Sequence, residues 1–369
     1  MRTKKDEFSD WLLHQLYLAY LDARKGKRRT RDEYIFEVNW LENLIRLRDD
    51  ILHRRYKPFR GIAFITLKPV MREIFAAPFR DRIVHHFLYN MSAEWWDRRF
   101  IYDSYSCRKG KGVLLGIKRL EHHIRSVSRN YTRKAYVIKL DIQGYFMSLS
   151  REKLFEIVYD GLNKQFADNE PRRDLLAYLW KEIIFDDPVK DVKRRGPLKR
   201  WEKLPKNKSL FGQPEGQGIV IGNLSSQLLS NIFLNQLDRY VKYELGHNNY
   251  GRYVDDFFYV EAAENFERAK RDIEKIREFL EGIGLTLHPK KVYIQEVQKG
   301  VEFLGVVVYP YHTVPGKRFK KNFYRAVREF EIGRREVESV VSYLGYAKHH
   351  NAKKLCKRVF DSVGWEYKF

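Results

Sequence analysis

The chain has 369 residues, 44% hydrophobic and 15% aromatic, enough for a substantial core and too apolar for global disorder. Its 71 basic and 48 acidic residues leave a net charge of +23, an excess that repels itself and calls for a polyanionic partner: nucleic acid first, an anionic membrane surface second. Two cysteines, Cys107 and Cys356, cannot build a disulfide framework or a cysteine-based zinc site, and read as reduced thiols of a cytosolic protein.

In chain order, residues 8–24 place Phe8, Trp11, Leu12, Leu16 and Ala19 at helical spacing, with Ser9 and Asp10 as cap candidates. A basic loop, RKGKRRTR, precedes a second helix at 39–55 through Leu41, Leu44, Ile45 and Leu52. Short strands fill 60–80, and RDRIVHHFLYNMSAEWW reads as a helix. In YVIKLDI (136–142), Tyr136, Ile138 and Leu140 alternate with Val137, Lys139 and Asp141, so Asp141 ends a strand on its less apolar face. A helix follows from Ser150, and 163–212 is polar, rich in lysine and proline, and reads as an insertion with loops. After GQGIVIGN comes a helix at 226–245, for which Ser226 is a cap candidate. YGRYVDDFFYV reads as strand, turn, strand, and a helix at 264–281 stops at Gly282 and Gly284. Strands at 291–297 and 301–309, turning at Lys299-Gly300, lead into a basic helical tail from 316. This mixed order with antiparallel hairpins predicts an α+β fold, helices packed on an antiparallel sheet. No apolar run reaches the ~20 residues of a spanning helix. The opening MRTKKDEFSD lacks the apolar core of a secretion signal, so the expectation is a cytoplasmic protein with no membrane partner.

Asp255 and Asp256 interrupt a run that otherwise favours a strand, and a tight hairpin presents both at its tip. If the strand ending in Asp141 is a neighbour, three carboxylates converge. Unpaired, they repel and raise each other's pKa. Hard divalent cations with oxygen ligands resolve that conflict. The plainer reading of an Asp-Asp pair is a turn. The pairs His85-His86, His122-His123 and His349-His350 point about 100° apart on a helix and lack the i, i+4 spacing of zinc helices, so they read as packing residues. KGKGVLLG lacks the preceding strand and the Lys-Ser/Thr ending of a phosphate loop.

Five ordered blocks, YVIKLDIQGYF, GQGIVIGNLSSQLLSNIFLNQLD, YGRYVDDFFYV, GLTLHPKK and VEFLG, resemble motifs A to E of reverse transcriptases. REIFAAPFRDRIVHHFL and DSYSCRKGKG are similar to the finger blocks of that family, and the resemblance spans roughly 35–350. It implies a right-hand polymerase with N-terminal helices and fingers at 1–130, palm at 131–310 with a fingers-type insertion at about 160–212, and a small helical thumb at 311–369. It implies two Mg²⁺ ions, with Mn²⁺ as a substitute, on Asp141, Asp255, Asp256 and the backbone carbonyl of Ile142. Lys291 matches the proposed acid for the leaving pyrophosphate, or is simply a solvated lysine. Phe146 matches the aromatic that selects deoxynucleotides, or is a core aromatic. Arg72 and Lys68 would reach the triphosphate, and Ile221 and Gly222 would lie at the nucleotide. Arg108, Ser226, Phe303, Leu304 and Gly305 would meet template and primer. The implied partners are template RNA, a primer strand and dNTPs. Phosphate contacts from RKGKRRTR, VKRRGPLKR and KRFKK would supply much of the affinity.

The glutamine usual before the motif B glycine is replaced by Ile221. The IGNLSSQ form, with LYLAYLDARKGKRRTRDEY and SYLGYAKHHNAKKL, resembles the enzymes of diversity-generating retroelements, bacterial or phage-encoded, which copy RNA with errors opposite adenine and assemble with a small basic accessory protein. After Gly305 the expectation is a small thumb, without a ribonuclease H, DNA-binding or endonuclease domain. Two other readings stay open: a retron-type or antiviral-defence reverse transcriptase, and an RNA-binding scaffold without chemistry.

Overall fold

The computed structural model describes residues 3–25, 30–67 and 70–367. From the N-terminus run helices α1 (Lys4–Ala23), α2 (Arg31–Val38) and α3 (Trp40–Leu52), strands β1 (Ile62–Thr66) and β2 (Arg72–Ala76), and helices α4 (Phe79–Asp97) and α5 (Val113–Val127). Strand β3 (Ala135–Asp141) leads to α6 (Tyr145–Ser148), α7 (Arg151–Gln165), α8 (Glu170–Ile184), strand β4 (Lys193–Arg195) and α9 (Leu198–Glu202). Helix α10 (Leu224–Arg239) ends in a π-helical turn, Tyr240–Glu244, before strands β5 (Tyr250–Tyr253) and β6 (Asp256–Ala262) and helix α11 (Phe266–Gly282). Strands β7 (Tyr293–Glu296), β8 (Val301–Phe303), β9 (Val306–Tyr309) and β10 (His312–Pro315) precede α12 (Lys317–Glu331), α13 (Val337–Ala347) and α14 (Lys353–Asp361). Helices with antiparallel sheets make the chain α+β, as expected. It divides into two compact units: Met1–Ile101, Ile142–Leu237 and Phe279–Thr286 form the first, and Tyr102–Asp141, Asp238–Glu278 and Leu287–Phe369 the second.

In the first unit α1 packs on α3 and α4, burying Leu12, Leu16 and Ala19 completely. Its cap is Thr3, not Ser9 or Asp10. The Thr3 hydroxyl accepts from the Asp6 N–H, and the Asp6 carboxylate accepts from the Thr3 N–H. That reciprocal pair satisfies the free amides one turn earlier than the apolar spacing suggests. Part of the basic loop is also helical: Thr30 caps α2, whose Phe36 is buried, while residues 26–29 lie outside those described. The lysine-rich 163–212 segment contains α8. Its Leu175, Leu176, Leu179, Trp180 and Ile184 recur at helical spacing and are buried, behind an Asn169 cap. Strand β1 pairs antiparallel with β2 and parallel with β4.

The second unit is built on the antiparallel sheet β5-β6-β3-β7. Helix α5 covers one face, with Ile117, Leu120 and Ile124 joining Val137, Phe258 and Val260. Ile138 and Leu140 on the other face of β3 are also fully buried, so its centre is dry on both sides. The strand expected at 301–309 is two strands. Phe303 pairs with Val306 across Leu304-Gly305, whose φ values of 50° and 84° are the left-handed pair of a two-residue hairpin loop. The one expected at 291–297 is shortened to β7. Helices α12–α14 share a core of Phe323, Val327, Val340, Ala347, Cys356 and Val359.

Gly161 inside α7 tests the packing of the first unit. Alanine in a helix interior normally gains roughly 0.5–1 kcal/mol over glycine. Here a Cβ would meet Trp96 Cζ2 at 2.3 Å. Overpacking costs ~1–3 kcal/mol, so it outweighs propensity. Gly161→Ala is expected to lower the melting temperature, and a rise in thermal denaturation would show that Trp96 yields freely.

Candidate active site

The β3–β6 register sets Asp141 directly opposite Asp256. Opposed residues of an antiparallel pair share a face with Cβ atoms ~5 Å apart, where two like charges destabilise the sheet. The two carboxylates meet that repulsion differently. Lys291 Nζ donates to both oxygens of Asp141, at 2.9 Å each. Backbone contacts place it: the His288 N–H donates to the Asp141 carbonyl (2.8 Å) and the Lys291 N–H to the His288 carbonyl (3.2 Å). Asp256 has no such relief. Its Oδ1 is buried with no hydrogen-bond partner among the described residues. Burial pushes its carboxyl up to about 6. The positive charge of Lys139 opposes the rise, Asp141 and Asp255 add to it, and Lys291 opposes it.

Asp255 sits at the tip of the β5–β6 hairpin, in the two-residue loop Val254-Asp255; Asp256 already belongs to β6. Val254 has φ 58°, a region where β-branched side chains are rare and cost of order 1–3 kcal/mol. Its N–H donates to Ser106 Oγ (3.1 Å), and its carbonyl accepts from Arg252 Nη1 (3.0 Å). Arg252 is fully buried and pairs with the equally buried Asp238, Nε to Oδ1 and Nη2 to Oδ2 at 2.7 Å each. Sequence reasoning missed this pair. The available signal was a charge in each of two apolar runs, since such charges are buried only when paired. It also missed Asp103, which accepts from Tyr105 Oη (3.1 Å) and from Arg119 Nε (2.6 Å). Burial alone would raise the Asp103 carboxyl, but His123 and Arg119 hold it well below the usual carboxylate range.

Asp141, Asp255 and Asp256 offer hard oxygen donors, and the buried Asp256 Oδ1, without a hydrogen-bond partner among the described residues, fits a divalent cation such as Mg²⁺. Among the described residues no three acidic, histidine or cysteine side chains already close around one point. A cation that keeps waters and phosphate oxygens, held by one or two carboxylates, suits that open arrangement better than a protein cage does.

The other expected site residues fall in two groups. In the second unit, Arg108 donates from Nη1 to the Ser104 carbonyl (2.9 Å), and Phe303 is buried edge-on against Phe258. The Leu304 carbonyl accepts from Tyr346 Oη (3.3 Å), and that of Gly305 from the Gly316 N–H (2.8 Å). In the first unit, Ile142 is buried, and Phe146 and Ile221 pack on one cluster of Ala63, Phe75, Met147 and Leu210. The Ile221 carbonyl accepts from the Phe75 N–H at 2.8 Å. Gly222 has φ 134°, and a Cβ there would stand 2.2 Å from the Phe75 carbonyl oxygen, so only glycine fits. Ser226 does not cap α10: that helix starts at Leu224, and Ser226 is buried within its first turn beside a small cavity that His85 and Arg151 also line. Arg72 is exposed on β2 opposite Thr66, and Lys68 lies outside the described residues.

Residues 69–308 match the family described as reverse transcriptase (RNA-dependent DNA polymerase). The chain is similar to Protein YkfC of Escherichia coli (strain K12), 25% identical over 297 residues covering 70% of this chain and 69% of that one. Among solved structures it is similar to telomerase from Candida albicans in complex with a fragment of telomeric RNA, with TM-score 0.51, 11% identity and coverage of 85% of this chain and 56% of that one. Apo telomerase from Candida tropicalis gives TM-score 0.49 at 10% identity, covering 83% and 58%. The chain thus spans a little over half the length of these telomerases, and the Candida albicans likeness is one of fold alone. No helix among the described residues is long and apolar enough to cross a membrane.

The raised Asp256 carboxyl has a measurable consequence. Its folded pKa of about 6 lies above the ordinary 3.8, so between these values the folded state binds more protons than the unfolded state. Asp256 therefore favours folding fully only in acid, and this contribution is lost as pH rises through about 6. At pH 8 in a chelating buffer, Asp256→Asn is expected to stabilise the chain by up to about 2–3 kcal/mol, a gain that vanishes below pH 4. Urea denaturation at the two pH values measures it, and an equal effect at both would contradict the assignment.

Proposed function

The chain belongs to the family of reverse transcriptases, RNA-dependent DNA polymerases, and on that premise we propose that it copies an RNA template into DNA for a diversity-generating retroelement. In the proposed reaction a primer 3′-hydroxyl attacks the α-phosphate of a dNTP, a new phosphodiester bond forms, and pyrophosphate leaves. The carrying observation is the placement of Asp141 opposite Asp256, with a buried carboxylate oxygen that has no donor among the described residues. In this reading Asp141, Asp255, Asp256 and the Ile142 carbonyl hold two Mg²⁺ ions, or Mn²⁺ in their place. When bound, such ions lower the pKa of the attacking hydroxyl and neutralise charge on the departing pyrophosphate.

The remaining roles follow from side-chain chemistry. The Lys291 ammonium, already a donor to Asp141, is the proposed proton source for the leaving pyrophosphate. Arg72, with Lys68, reaches the triphosphate, for which a guanidinium fork is suited. Phe146 packs under the sugar and leaves no room for a 2′-hydroxyl. Gly222 lets the nascent pair approach the backbone. Arg108, Ser226 and the Phe303-Leu304-Gly305 turn meet template and primer. The ranges 1–130, 131–310 and 311–369 serve as fingers, palm and thumb, with the 160–212 insertion on the fingers. The +23 charge supports template RNA and primer as partners. A small basic accessory protein completes the proposed assembly.

The error-prone subtype rests on Ile221. Its side chain joins Phe146 on an apolar cluster, where it offers contact area but no hydrogen bond to police the nucleotide. Primer extension on RNA with Mg²⁺ and four dNTPs, with products sequenced, tests both levels of the proposal. The native chain is expected to extend with errors concentrated opposite adenine, and Asp255→Ala/Asp256→Ala to lose roughly 10³-fold or more while still binding RNA. Faithful extension would keep the polymerase and remove the retroelement role. No extension even with native RNA and accessory protein would overturn the enzyme. Ile221→Gln is expected to lower misincorporation opposite adenine several-fold, and an unchanged error spectrum would remove Ile221 from the account.

A further inference from the structure

The hairpin that carries Asp255 and Asp256 is poorly suited to its own loop sequence. A two-residue loop with a left-handed first residue favours glycine or asparagine. This one has Val254 at φ 58°. Something outside the loop must hold it, and the restraints come from Arg252 and from the segment 103–106. Arg252 lies two residues before Val254 and is fully buried with Asp238. Asp238 fixes the guanidinium with two 2.7 Å hydrogen bonds and is itself fixed by Tyr250 Oη at 2.7 Å. Three of the five guanidinium N–H groups then remain: Nη1 reaches the Val254 carbonyl (3.0 Å), and Nη2 also reaches Ser104 Oγ (3.2 Å).

The segment 103–106 completes the clamp from the other side. The Arg252 N–H donates to the Asp103 carbonyl and the Tyr105 N–H to the Arg252 carbonyl, both at 2.9 Å. Ser106 Oγ accepts from the Val254 N–H at 3.1 Å. Both backbone groups of the strained residue are therefore held by side chains anchored in buried structure. A buried ion pair adds little to stability over an apolar pair of the same shape, so its retention asks for a geometric role.

We propose that Arg252, fixed by Asp238, is a positioning residue of the polymerase: with Ser106 it holds Val254 in its left-handed conformation and so sets where Asp255 and Asp256 present their carboxylates. This rests on the proposed polymerase reading, in which those carboxylates bind the catalytic cations. A lysine at 252 keeps the charge beside Asp238 but cannot span Asp238 and the Val254 carbonyl as the planar fork does.

The test compares Arg252→Lys, Ser106→Ala, Arg252→Lys/Val254→Gly and the native chain. Two readouts are used: steady-state primer extension, and Mn²⁺ affinity by electron paramagnetic resonance with Asp255→Ala/Asp256→Ala as the blank. Arg252→Lys is expected to lower kcat by about 10²-fold, the scale for misplaced catalytic groups, with KM for dNTP little changed and Mn²⁺ bound several-fold more weakly. Ser106→Ala, which leaves the ion pair intact, should move both readouts in the same direction by less. Val254→Gly in the Arg252→Lys background should restore most of both, because glycine adopts the left-handed conformation unaided. A merely structural arginine would not be rescued by a loop glycine. Native kcat and Mn²⁺ affinity in Arg252→Lys and Ser106→Ala, or no rescue by Val254→Gly, would overturn the proposal. If the native chain does not extend primers even with native RNA and accessory protein, the polymerase reading fails by itself, and the Mn²⁺ readout still decides whether Arg252 sets the carboxylates.

Discussion

Two acidic side chains face each other across adjacent strands, and the second unit is organised around that placement. An antiparallel register gives Asp141 and Asp256 one face, and no local rearrangement separates them without slipping the whole ladder from Ala135 to Asp141. The strands tolerate the repulsion because their centres are dry and tightly filled. Val137, Ile138 and Leu140 are buried on β3, as are Phe257 to Val260 on β6. Burial of those apolar residues stabilises the ladder and thereby holds the charged ends in register. The unfavourable electrostatics are then settled unequally, with Lys291 on Asp141 and a raised carboxyl on Asp256.

Much of this was legible in the chain. Alternation in YVIKLDI places Asp141 at a strand end, and the aromatic and β-branched run around Asp255-Asp256 gives a hairpin, because those residue types favour strands and the acidic pair interrupts them. The helices α4, α7 and α11 carry clear apolar spacing. What escaped reading has physical causes. Thr3 caps α1 through a side-chain exchange that leaves no apolar trace. Helix α8 was hidden by the lysines and prolines that follow it. The break at Leu304-Gly305 needs φ > 0 at a leucine, which composition does not announce. The Arg252–Asp238 pair joins residues from a strand and a helix end, and such pairing is visible only once the chain is folded.

The first unit applies a different logic to the residues around Ile221. Here backbone, rather than charge, sets the geometry. The Phe75 N–H and Ile221 carbonyl join β2 to the segment before α10, and Gly222 follows where no side chain could stand. Glu73 on the same strand accepts from Ser209 Oγ and the Leu210 N–H, tying the end of the lysine-rich segment to β2. A segment that reads as loosely attached by composition is thus fastened through a buried carboxylate.

Helices α12–α14 bury their own cluster, centred on Phe323, Val340 and Cys356, apart from the core under the sheet. The separation is bridged at two places: Tyr346 of α13 packs on the core under the sheet and donates to the Leu304 carbonyl, and Thr313 of β10 meets Asn351 and His350. Local opening of these helices would break those bridges but none of the hydrogen bonds between β3 and β6, so the register of the carboxylates does not depend on the C-terminal helices staying closed.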